Sequence, residues 1–266
     1  MSGKKPKAEY AIQTVTNALR VLDAFREADD YGVTELANRL RLHKNNVFRL
    51  LATLEQQGYI EQLKPTDRYR LGARSLELGR AFVRSRSLHE HARKYLNELV
   101  AVTGESAHLV IMRSYEVIYI DGVASDQLIS TGSLIGRRLP VHCTAAGKVL
   151  LGCSPDSARE DYDRTVVADL GLRAQTPDTI VDPHKLFEHV RSARVAGFAI
   201  EVEECVVGLC CAAAPVYDAE GDVVAAISVA GPAFRLDEDA LLGRIAPTVV
   251  AAADRLSLDL GYAASP

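Results

Sequence analysis

Between Lys44 and Thr53 the chain sets Lys44, Asn45, Asn46, Arg49 and Thr53 on one flank of a short segment whose other flank is apolar. Two adjacent carboxamides offer paired donors and acceptors, the pattern that meets adenine at N6 and N7. Lys44 and Arg49 add cations that reach guanine O6 and N7, or a phosphate. Lys64, Arg68 and Arg70 follow within a few residues of one another, a grouping suited to phosphate contacts that position a protein without reading sequence. Any one of these residues fits the wet side of a surface helix equally well. The ordered set is what points to duplex DNA.

Two other groups carry chemistry. Cys205, Cys210 and Cys211, with Cys143 and His142 earlier in the chain, are soft ligands for an ion such as zinc, or a redox-responsive thiol group. Cys210 and Cys211 fall on a predicted strand, where neighbouring side chains point to opposite faces, and this counts against joint chelation. Thr144-Ala-Ala-Gly147 opens a predicted helix with a capping hydroxyl and small side chains. Bare amides at a helix start attract anions such as carboxylates; a small-residue turn packed on a neighbour explains the segment equally well. Motifs of enzymes are missing: no GxSxG, HExxH, P-loop or GxGxxG occurs, so no catalytic residue and no cofactor are expected. His89 and His91 lie two apart on a predicted helix and point in different directions.

The elements around the first group place it. Val15, Leu19, Leu22 and Phe25, with Ala18, recur at helical spacing between about residues 11 and 27, and Gly32 supplies a stop. Thr34 is the expected N-cap of a second helix ending near Leu40. After Arg41-Leu-His43, Val47, Leu50, Leu51 and Leu54 form an amphipathic stripe on a third helix. The period then changes to two. Tyr59–Leu63 and Arg68–Leu71 flank Lys64-Pro-Thr-Asp67, which predicts a β-hairpin. Helices, a tight connection and a basic hairpin make a winged helix-turn-helix, whose recognition helix enters the major groove.

Charge divides the same way. Residues 1–87 carry 16 Lys and Arg against 10 Asp and Glu, and residues 88–266 carry 15 against 25. The front part is built to meet an anion and the rear is not. With 266 residues, 48% hydrophobic and 25% charged, the chain suits two globular domains. Its apolar runs are too short to span a membrane, and its start lacks the apolar core of a signal peptide. A cytoplasmic protein with free thiols is expected.

Several motifs in order resemble the IclR-type transcriptional regulators. They are Ala18-Leu-Arg-Val-Leu22, Thr34-Glu-Leu-Ala37, Val47-Phe-Arg-Leu-Leu-Ala-Thr-Leu54 and Tyr69-Arg-Leu-Gly72. Stronger are Leu139-Pro-Val-His-Cys-Thr-Ala-Ala-Gly-Lys-Val-Leu-Leu151 and Gly208-Leu-Cys-Cys-Ala-Ala-Ala-Pro-Val216, the latter followed by Ala226-Ile-Ser-Val-Ala-Gly-Pro232. The likeness covers about residues 11 to 260. It departs at Arg41, where the family usually has Gly, and at Asn45-Asn46, where it often has Ser-Thr.

The elements read from the residues, and the resemblance with them, imply an α+β chain. Its parts are a basic tail (1–10), a winged helix-turn-helix (11–72), a linker helix (73–87, with Arg74, Arg80, Arg84 and Arg86 solvated) and a GAF-like effector-binding domain (88–262). In that domain helices are expected at 89–102, 144–151, 182–196 and 237–259, and strands at 107–113, 115–121, 198–204, 209–217 and 223–230. The resemblance further implies homodimers or tetramers on palindromic operator DNA, with a small organic acid as effector. Family pockets use amides at positions matching Ala145 and Ala146, an acid matching Glu201, a cysteine matching Cys211 and a hydroxyl matching Ser228. A second hydroxyl is absent, since Ala230 stands in its place. The longer acid and the lost hydroxyl imply an effector with an apolar or aromatic body, walled by Leu128 and Leu134.

Overall fold

The computed structural model describes residues 11–84 and 87–263, with backbone alone for residues 80–84 and 87. The expected basic tail and the side chains of Arg80, Arg84 and Arg86 lie outside the described residues. Two compact units divide between Ser85 and Arg86.

In the first unit, helix α1 (Gln13–Ala24), strand β1 (Asp30–Tyr31), helices α2 (Val33–Leu40) and α3 (Lys44–Gln56), and strands β2 (Ile60–Leu63) and β3 (Arg68–Leu71) form a winged helix-turn-helix. The antiparallel sheet runs β1-β3-β2. Val21, Leu36, Leu51 and Ile60 are fully buried at its centre, with Val47, Leu50 and Leu54 of α3 beside them. Helix α4 (Ala73–Arg84) follows. Three expectations need correction. Val15 and Leu19 do not enter this core; they face outward, and α1 packs through Val21, Ala24 and Phe25 instead. Thr34 lies inside α2, whose N-cap is Gly32, its amide donating to Glu35 Oε2 at 3.1 Å. Asp30–Tyr31, in the stretch before the Gly32 stop where no strand was expected, pairs with β3 as β1.

In the second unit, helix α5 (Ser87–Thr103) precedes an antiparallel sheet of six strands. These are β4 (Ser106–Arg113), β5 (Glu116–Val123), β6 (Arg138–Pro140), β7 (Ala199–Val202), β8 (Leu209–Tyr217) and β9 (Val223–Pro232), in the order β6-β5-β4-β9-β8-β7. Helices α6 (Ala145–Cys153), α7 (Asp156–Tyr162) and α8 (Pro183–Ala196) lie between β6 and β7 in sequence. A short helix α9 (Glu238–Ala240) runs through a wide turn, Leu241–Ile245, into α10 (Ala246–Asp259). Because strand side chains alternate, the sheet has two apolar faces. Leu109, Cys210, Ile227 and Val229 meet α5 and α10 on one. Val110, Tyr119, Cys211, Ala213 and Ala226 meet α6 and α8 on the other. Cys210 and Cys211 thus do point apart.

Candidate nucleic-acid interface and effector site

Lys44, Asn45, Asn46, Arg49 and Thr53 are all exposed on α3, while Val47, Leu50, Leu51 and Leu54 are buried. The two flanks are set by the 3.6-residue period. The amides of Lys44 and Asn45 find no acceptor among the described residues, since His43 O takes those of Asn46 and Val47. Bare amides at a helix start favour a phosphate. Phe48, unmarked in the sequence reading, is also exposed among these polar groups; its large apolar ring suits a thymine methyl.

The connection to α3 turns at Arg41, whose φ of 54° is left-handed. Its neighbour Leu42 donates to Ala37 O at 3.0 Å, closing α2. The turn that glycine usually makes is made here by arginine, at a steric cost.

The wing needs a correction. Lys64 is exposed at the hairpin, but Arg68 is held by Asp30 at 2.5 Å and Glu35 at 2.9 Å. It braces β3 against β1 and α2 rather than standing free for phosphate. Arg70 pairs with Glu61 at 2.6 Å. Both partners are half exposed there, and such a pair is worth about 0–1 kcal/mol, so a phosphate can replace the carboxylate.

The second site lies under α6, on the sheet face that α6 and α8 cover. Thr144 caps α6: its Oγ1 accepts from the Gly147 amide at 3.2 Å, and its carbonyl accepts from the Lys148 amide at 3.0 Å. The amides of Ala145 and Ala146 are left without an acceptor among the described residues, and both residues are buried. Gly147 is required by space, since a Cβ there would stand 2.2 Å from Val141 O.

Glu201 on β7 faces Cys211 on β8 across the register. It is 2% exposed and accepts from the Cys205 amide at 2.9 Å. Burial pushes its carboxyl up to about 7 despite that hydrogen bond. Burial also drives the Cys211 thiol and the Tyr119 phenol well above their ordinary values; Tyr119 feels Cys211, Cys205, Glu201 and Cys143 together. The Cys143 and Cys205 thiols are near each other, and their interaction raises the first and lowers the second. Ser228 on β9 is fully buried and close to Cys211, yet its Oγ makes no hydrogen bond of ordinary geometry. Beside this group, Lys148 and Glu204 form a buried ion pair.

Ala145, Ala146, Glu201, Cys211 and Ser228 are therefore brought to one sheet face, and Leu134 is half-buried against the same apolar cluster. Leu128 is not; its side chain is fully exposed and walls no enclosed space. Tyr119, Cys143 and Cys205 complete the group. The sequence marked the two cysteines only as possible metal or redox groups and did not mark Tyr119. No cluster of three or more His, Cys, Asp or Glu placed to hold a metal occurs among the described residues.

An exposed amide-bearing helix on a winged unit defines a DNA-binding regulator, and a closed, polar-lined face lies in a second unit. Residues 14–64 match the family described as the IclR helix-turn-helix domain, and residues 80–258 that described as bacterial transcriptional regulator IclR C-terminal. The HTH-type transcriptional regulator XynR of Escherichia coli (strain K12) is 35% identical over 258 residues, 95% of this chain and 99% of that one. Transcriptional repressor IclR of the same organism is 30% identical over 267 residues, 97% and 96% of the two chains. The crystal structure of an IclR homolog complexed with 4-hydroxybenzoate, from Microbacterium hydrocarbonoxydans, has a TM-score of 0.79 at 23% identity, over 93% of this chain and 98% of that one. The chain belongs to the IclR family of bacterial transcriptional regulators. It is a DNA-binding regulator, and its relatives are regulators rather than enzymes. No described helix is long and apolar enough to cross a membrane.

Proposed function

We propose that this regulator binds its operator as a homodimer, or a pair of dimers, and that a small organic acid with an apolar or aromatic body shifts that binding. Lys44, Asn45, Asn46, Arg49 and Thr53 read base edges, while Lys64 and Arg70 meet phosphates. Ala145, Ala146, Glu201, Cys211 and Ser228 hold the acid, with Leu134 along its body. The observation that carries this reading is the pair of bare, buried amides opening α6, on the same sheet face as a carboxyl that burial raises to about 7. An ionised acid meets two donors and the positive end of a helix there, with less repulsion than a charged Glu201 would exert. The 4-hydroxybenzoate held by the Microbacterium relative fits an aromatic body. Ligand binding then favours one arrangement of the DNA-binding pair over another.

Calorimetry with a panel of 2-oxo acids and aromatic acids tests it. The aromatic acids should bind more tightly, and Ala145→Pro should weaken them at least tenfold. Proline at the first helical position removes one amide without breaking the helix. Thr144, at φ −119° and ψ 139°, already holds the extended backbone a following proline requires. Tight binding of glyoxylate or pyruvate alone would overturn the assignment.

A redox reading has one observation in its favour, the nearness of the Cys143 and Cys205 thiols. Hydrogen peroxide would take two electrons and two protons from the thiols, leaving a disulfide and water. Mass spectrometry showing no Cys143–Cys205 cross-link after peroxide would remove that reading.

A further inference from the structure

Among the buried polar atoms on or beside the α6-covered face that have no hydrogen-bond partner among the described residues are Ser228 Oγ, His108 Nδ1 and Thr131 Oγ1. Each such atom gives up its hydration for no bond in return, and native proteins keep few of them. These three are neighbours. Ser228 and His108 stand opposite each other in the β9–β4 register. Ser106, two residues before His108 on the same face, donates to Thr131 O at 3.4 Å.

The sequence makes room for the His108 ring. The residue opposite it on β5 is Gly122, where a Cβ would approach His108 Cδ2 to 3.0 Å. The Cδ2 edge therefore lies toward β5, and the Nδ1 edge turns toward β9 and Ser228. Tyr119 meets the ring edge-on, with centroids 5.4 Å apart at 88°, and fixes its plane. A cavity of about 90 Å³ adjoins the ring on its β5 side, lined by His108, Gly122, Ser133 and Leu134 among others and not by Ser228.

We propose that His108 is a specificity-determining residue of the effector site, taking with Ser228 a hydroxyl that the acid carries on the end opposite its carboxylate. The inference rests on the carboxylate lying at the start of α6, as proposed above. Burial holds the imidazole neutral, its pKa lowered to about 4, so the ring has one N–H and one bare nitrogen. A hydroxyl both donates and accepts, and satisfies either tautomer as well as the serine; a carboxylate only accepts. From the β8 column, where Cys211 stands, to the β4 column is two strand spacings, about 10 Å. A ring between the two polar ends spans that distance with its hydrogen bonds.

Calorimetry on the full chain with 4-hydroxybenzoate and benzoate tests this. The unmodified protein should prefer the hydroxylated acid at least tenfold. His108→Leu should reduce the preference to threefold or less while leaving benzoate affinity within threefold, whereas Ala145→Pro should weaken both acids. Equal binding of the two acids by the unmodified protein, or an undiminished preference in His108→Leu, would overturn the inference and leave the carboxylate site standing. Binding of neither acid would take both down. If His108→Leu does not fold, His108→Gln, which keeps a hydrogen-bonding group, should retain at least a fivefold preference; its loss would count against the assignment.

Discussion

Glu201 is a carboxyl whose charge costs the fold. Its value rises from an ordinary 4.5 to about 7, burial being the main cause, with Lys148, Glu204, Cys205 and Cys211 around it. A group raised in this way contributes no penalty below pH 4.5 and an increasing one as pH climbs through 7. Glu201→Gln should therefore match the parent in thermal stability near pH 4.5 and exceed it above pH 8, by an amount of order 3 kcal/mol. Organic-acid affinity should fall between pH 6 and pH 8 in the parent and stay flat in the variant. Urea melts and calorimetry at several pH values read both effects. Arg41 is a second strained residue, at φ 54°. Arg41→Gly should raise the stability of the winged unit by about 0.5–1 kcal/mol, visible as a shifted urea midpoint with an unchanged slope.

At the scale of elements, α3 was legible because its leucines repeat at helical spacing over a full thirteen residues. The hairpin was legible from its change of period and its Pro-Thr-Asp turn. Strand β1 was not, since two residues carry no period. The hold of Asp30 and Glu35 on Arg68 was hidden by separations of 38 and 33 residues, which no local pattern spans. In the second unit the long strands β8 and β9 were plain, whereas α7 and the wide helical turn after it, Asp163–Leu170, went unread. The candidate effector group was found through the family's motifs; alternation alone shows only buried small residues there. His108 looked like any apolar-strand histidine, and what sets it apart is the missing side chain at Gly122 on the neighbouring strand. The α6 turn depends on Gly147. Gly147→Ala would drive a Cβ into Val141 O and Thr144 Oγ1, so we expect a loss of about 2 kcal/mol or more. A lowered melting temperature with weakened acid binding would bear this out, and a neutral variant would show that the turn yields.

For the whole molecule, α1 leaves Ile12, Val15 and Leu19 more than half exposed along one side. A monomer does not usually leave such a stripe on a helix bare. In the proposed homodimer this stripe would form the seam between two winged units, which would account for the apolar residues there. Val15→Asp together with Leu19→Asp should leave the fold intact by circular dichroism and weaken self-association at least tenfold in sedimentation. Operator affinity should fall with it, because a palindrome is read by two half-sites. The uneven charge, positive before residue 88 and negative after, directs the duplex to the winged units and gives binding a steep salt dependence.

The most direct test is a titration of the DNA flanking this protein's own gene, by footprinting and fluorescence anisotropy, across a range of salt. A discrete protected site should appear, with affinity falling steeply as salt rises. Asn46→Ala and Arg49→Ala should each cost about 1–3 kcal/mol and relax base preference at one position, while Lys64→Ala should weaken all sequences alike. Salt-insensitive binding, or α3 variants that hold the same site as tightly and as selectively as the parent, would contradict the claim that this flank of α3 reads the duplex.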